Sequence, residues 1–88
     1  MGSPAQHTKV ARDFEATARD ELVRVRRQVR KGACTQALMD LLAARMAIGA
    51  AASEASWTED KRNRGLSELF RDHTAATIGF EQACLRER

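Results

Sequence analysis

The chain has 88 residues, 15 of them Lys or Arg against 12 Asp or Glu, giving a formal net charge of +3. A chain this short forms one domain and buries only about 60–65% of the surface its unfolded form exposes, which raises the prior for self-association. Two cysteines do not make a disulfide framework, and acidic Asp13 and Glu15 follow Lys9 and Arg12 too closely for a signal-peptide core.

Arginine outnumbers lysine twelve to three. An alanine-rich, arginine-rich composition is what a GC-rich genome produces, so the placement of the arginines carries the argument rather than their number. The stretch from Ala33 to Ala52 is long enough to span a bilayer but contains Asp40 and Arg45, and alanine inserts weakly into membranes. A buried soluble helix and a cytoplasmic location are expected, with no membrane partner.

The first helix is predicted over residues 5–31. Ser3-Pro4-Ala5-Gln6 offers a serine cap, a proline at the first helical position and a glutamine placed for a capping box. Val10, Phe14, Ala18, Leu22, Val25 and Val29 form a narrow apolar stripe. Arg30-Lys31-Gly32 supplies a cationic last turn and a glycine stop. Away from the stripe, Arg12, Arg19 and Arg26 recur every seven residues, about 10 Å apart along one face. Arg30 extends this row, and Arg24, Arg27 and Lys31 thicken it.

The second helix is predicted over residues 35–62, with Thr35 as its cap. Leu38, Leu41, Leu42, Ile48, Ala52 and Ala55 cover one broad face, while Met39, Met46, Ala50 and Trp57 fall on another, so two sides are expected to be touched. Ala43, Ala47 and Ala51 form a small-residue seam between the two faces. Arg45 projects among Leu38, Leu42 and Gly49, where it must reach water or pair with a carboxylate. The end of this helix admits two readings. Ser56-Trp57-Thr58-Glu59 resembles a capping box that opens a new helix, whereas Lys61-Arg62-Asn63-Arg64-Gly65 resembles a basic last turn with a glycine stop. The position of Trp57 relative to the methionine stripe favours a break near residues 63–65.

The third helix is predicted over residues 66–86, with Leu66, Leu69, Phe70, His73, Thr77, Phe80 and Cys84 on one face. No run alternates as a half-buried strand does. The fold class expected is all-α, a three-helix antiparallel bundle that oligomerises through its central helix.

Little in the chain suggests catalysis. His73 and Cys84 are eleven residues apart, about 16 Å along one helix, and cannot meet. His73 is expected to be a core histidine with one satisfied nitrogen. Cys34 is not placed opposite Cys84 under either boundary of the second helix, so no disulfide between them is expected. No phosphate loop, zinc spacing or metalloprotease motif occurs, so no cofactor, metal or small-molecule substrate is expected. Glu15 and Arg19 stand at ion-pair spacing on a helix.

Two binding classes remain. Protein association would use Met39, Ala43, Met46, Ala50 and Trp57, because methionine adapts to partner surfaces and small residues admit a second backbone. Nucleic-acid binding would use Arg12, Arg19, Arg26, Arg27 and Arg30 to track phosphates, although Asp13, Glu15 and Asp20 interrupt the row. A non-enzymatic, homo-oligomeric protein that binds another protein is the favoured expectation, as an adaptor, chaperone-like protein or regulator.

Overall fold

A computed structural model of the protein describes residues 3–56 and 64–86. Three helices account for nearly all of them: α1 (Pro4–Arg30), α2 (Cys34–Ala55) and α3 (Arg64–Phe80). A π-helical turn, Glu81–Leu85, prolongs α3. No strand occurs among the described residues.

The local signals at both ends of α1 operate as their chemistry requires. The Ser3 hydroxyl accepts from the Gln6 amide at 3.2 Å, and the Ser3 amide donates to Gln6 Oε1 at 3.0 Å. Two donors that helix geometry would leave unsatisfied are thereby paired. At the far end Gly32 takes a left-handed backbone, φ 75°. Its amide donates to Val29 O at 3.0 Å and the Ala33 amide to Gln28 O at 2.9 Å, the paired bonds of a Schellman stop.

The turn at Gly32 folds α2 back along α1. His7 Nδ1, near the start of α1, lies 2.5 Å from Glu54 Oε2, near the end of α2. On α1 the facing seam is Ala11, Glu15, Ala18, Leu22, Val25 and Val29. On α2 it is Ala37, Leu41, Ala44, Ile48, Ala51 and Ala55. Both lists advance by four and three residues alternately, the 3.5-residue period of two helices packed side by side. Alanine at Ala37, Ala44 and Ala51 removes side-chain bulk from the contact, which lets the two backbones draw together. Leu66, Leu69, Ala76 and Phe80 of α3 complete a single core cluster.

Several expectations are corrected here. Thr35 does not cap α2; the cap is Ala33, with no side-chain hydrogen bond, and the helix already includes Cys34. The helix closes at Ala55 with Ser56 as its cap, short of residue 62. The proposed capping box at residues 56–59, and Trp57 with it, lies outside the described residues apart from Ser56. Leu38 and Leu42 are exposed rather than buried, because the core axis of α2 runs through Ala37, Ala44 and Ala51. Ala47 and Ala51, expected in a seam on the surface, are core residues. On α1 the buried line similarly turns from Val10 and Phe14, both exposed, to Ala11 and Glu15.

The largest correction concerns the cysteines. Cys34 and Cys84 are joined in a disulfide, with their Cα atoms 5.8 Å apart. Positions on regular helices do not reveal the pairing, which depends on how the elements end. The His73 ring (Nε2) donates to the Leu41 carbonyl at 3.2 Å, which sets α3 beside α2 in a register that brings the end of α3 to the start of α2. The π-turn then winds i→i+5, a wider turn than α-helix, and swings Cys84 onto Cys34.

Candidate association surface on the second helix

The small residues that α2 turns inward leave its large ones outside. Leu38, Met39, Leu42 and Met46 are 43%, 58%, 57% and 76% exposed. Leu38, Leu42 and Met46 follow at i+4 spacing and form one ridge; Met39 and Ala43 run beside it. Ala43 and Gly49 are exposed as well, and Ala50 is half-buried at the border. Of the residues expected at a protein interface, Met39, Ala43 and Met46 therefore share the open face and Ala50 adjoins it. Trp57 lies outside the described residues.

The ridge is continued onto α3 by Phe70, which is 41% exposed. Arg45 closes this edge, its guanidinium carbon 5.4 Å from the Phe70 ring centroid. The anomaly of an arginine among leucines thus has a plain resolution. The aliphatic stem lies along apolar surface and the cation sits on a ring face, an attraction of about 0.5–1 kcal/mol at an exposed site. From Gln36 to Ser53 the only charged residues are Asp40 and Arg45. Asp40 is buried on the other side of the helix, where Gln36 Nε2 donates to its Oδ1 at 3.4 Å and its Oδ2 has no hydrogen-bond partner among the described residues. The outer face of α2 is consequently apolar and almost uncharged.

The signal for this face in the sequence is the alanine-rich seam of α2. Ala37, Leu41, Ala44, Ile48, Ala51 and Ala55 form a heptad-like line, and between Ala37 and Ala51 the exposed residues off that line are Leu38, Met39, Leu42, Ala43, Met46 and Gly49, with Arg45 the one charge among them. The broad face expected from Leu38, Leu41, Leu42 and Ile48 is instead split, with Leu41 and Ile48 buried and Leu38 and Leu42 exposed.

The arginine row lies on the surface of α1. Arg12, Arg19, Arg26, Arg27 and Arg30 are all exposed. Arg26 and Arg30 rim a shallow groove of about 290 Å³ between α1 and α3, floored by Val29, Ala75, Gly79 and Phe80. No ion pair joins Glu15 to Arg19; Glu15 is buried, and Glu21 pairs with Arg24. His73 has one ring nitrogen engaged with a backbone carbonyl, but it is half-buried and stands outside the core cluster rather than within it. Both cysteines are held in the disulfide, so neither is a free thiol in this state. Among the described residues no three His, Cys, Asp or Glu side chains gather as a metal site. Among the same residues no helix is long and apolar enough to cross a membrane.

Comparison of the chain with protein-family models, with characterised proteins and with solved structures found no match.

Proposed function

We propose that this is a non-enzymatic binding protein, an antiparallel three-helix bundle that acts by protein–protein association through the outer face of α2. The observation that carries the reading is the inverted arrangement of that helix: alanines inside, and Leu38, Met39, Leu42 and Met46 outside. A helix that is apolar all round is normally covered on every side. Here α1 and α3 cover two sides, and a partner covers the third. Flexible methionines suit a surface that must mould to another protein, as in an adaptor, a chaperone-like protein or a regulator. No cofactor enters this reading.

The cytoplasmic location expected from composition sits poorly with the Cys34–Cys84 bond, because cytosolic thiols open disulfides and oxidising compartments preserve them. With the bond closed, an oxidising compartment is the better proposal.

The reading is tested by placing a photo-reactive phenylalanine analogue at position 46 and, separately, at position 19. Illumination in cells should give protein adducts from position 46 and few from position 19. Equal yields from both, or none from position 46, would contradict it.

A second reading has one observation in its favour. Arg12, Arg19, Arg26, Arg27 and Arg30 are exposed in one band, and none is in an ion pair among the described residues. Such a band suits a nucleic-acid backbone, with affinity that falls steeply as salt rises.

A further inference from the structure

We infer that the partner of the α2 face is a second copy of this chain, docked with the two α2 helices antiparallel so that Met39 of each protomer meets Met46 of the other. The inference rests on the reading of this face as an association surface and adds the identity of what covers it.

Four features make the face complementary to itself. Leu38, Leu42 and Met46 form an i+4 ridge, and the row beside it, Met39 and Ala43, dips at the alanine. Two such surfaces related by a two-fold axis can place ridge in groove on both sides at once. An axis passing between Leu42 and Ala43 sets Met39 opposite Met46 and Leu42 opposite Ala43, a large residue against a small one.

Charge favours the same arrangement. Arg45 is the only exposed charge between Gln36 and Ser53. Parallel helices would put the two Arg45 side chains level, whereas the antiparallel axis offsets them by five residues, about 7.5 Å, and leaves each on its own Phe70.

Gly49 supplies the third feature. A Cβ at this position would meet nothing within 4 Å in the single chain, so the fold of one protomer gives no reason for a poor helix former there. In the antiparallel pair Gly49 faces Gln36 of the second copy, and the missing side chain makes room for it.

Area is the fourth. Leu38, Met39, Leu42, Met46 and Phe70 are between 41% and 76% exposed and together form an open apolar patch of the kind that marks an association site, where a standard interface takes roughly 800 Å² per partner.

The test is sedimentation equilibrium of the intact chain from micromolar to millimolar concentration, with helicity followed by circular dichroism. The wild type should weigh twice the 9.8 kDa chain. Met46→Glu, at an exposed position, should keep its helicity and weaken the dimer by at least about 100-fold in Kd. Adding Met39→Lys to it should restore the dimer, because each protomer then offers a cation opposite the other's anion. Parallel helices would set like charges together and stay apart. A wild-type mass of 9.8 kDa throughout overturns the inference. So does a dimer indifferent to Met46→Glu, or a double variant that fails to re-associate. A monomeric wild type whose position 46 still cross-links to a different protein would overturn the second copy and leave the association reading standing. No cross-link at all would remove both.

Discussion

Cys34, at the first residue of α2, is covalently joined to Cys84, in the π-turn that follows α3. The bond spans fifty residues of chain and fastens α3, whose Leu66, Leu69, Ala76 and Phe80 are set against the paired seams of α1 and α2. Nearly half of the core cluster is alanine, which buries little area per residue, so a covalent tie has much to contribute. Closing a loop of this size restricts the unfolded chain by about 4 kcal/mol on the chain-entropy account. Urea unfolding of the Cys34→Ser/Cys84→Ser variant, compared with the oxidised protein, should show a loss of that order. Amide exchange should reveal α3 opening before α1 and α2. A loss well under 1 kcal/mol would mean that packing alone holds α3.

The inverted second helix makes an unusual pair of predictions. Ala44 is fully buried between helices, so Ala44→Leu forces α1 and α2 apart and should destabilise the fold by about 1–3 kcal/mol or more. Leu42→Ala removes a large apolar side chain, a change that costs about 2–5 kcal/mol in a core. At this exposed position it should cost under about 0.5 kcal/mol when unfolding is measured at high dilution. Denaturant titrations of the two variants compare them directly, and the reverse order would place the leucines inside.

Much of the architecture was legible in the chain. The Ser3–Gln6 capping box and the Gly32 stop are chemical signals confined to a few residues, and both hold as local chemistry requires. The three-helix division followed from them and from the absence of alternating runs. The orientation of α2 was not legible, because the helix is apolar on two faces and periodicity alone does not say which of them meets α1. In this helix close approach of two backbones decides the matter, and only alanine at Ala37, Ala44 and Ala51 permits it. The disulfide was hidden for a different reason. It depends on the relative register of two separate helices and on a π-turn, neither of which leaves a periodic trace in sequence. Met39 and Met46, set apart in the sequence as a stripe, are exposed, and Leu38, Leu42 and the Arg45–Phe70 contact, which the sequence reading did not place with them, lie beside them.

Asp40 offers a third test. It is buried, and one carboxylate oxygen has no hydrogen-bond partner among the described residues, an arrangement that costs about 1–3 kcal/mol relative to a satisfied group. Asp40→Ala removes the charge, matches the neighbouring alanines of the seam and favours helix. Its melting temperature should rise by several degrees. An unchanged or lowered value would mean that the carboxylate has a role in the fold that its contacts do not express.

The arginine band separates the two functional readings. Arg19→Glu with Arg26→Glu reverses two exposed charges one heptad apart and touches no core contact. Association through α2 should be unaffected by this change, and by salt between low and physiological ionic strength. Any nucleic acid retained on purification, read from absorbance at 260 against 280 nm, should disappear in the double variant if the band binds phosphates, and it should depend on salt in the wild type. A clean protein spectrum in the wild type at low salt would leave the band as a solvated face.

The most direct measurement of the central claim is the rate at which peroxide oxidises Met39 and Met46, followed by mass spectrometry as the protein concentration is raised. In dilute solution both thioethers are open and should oxidise quickly. As association proceeds both should become protected together, while α1 and α3 keep their helicity. Rates that stay fast and equal at every concentration, and in the presence of any captured partner, would show that the outer face of α2 meets nothing.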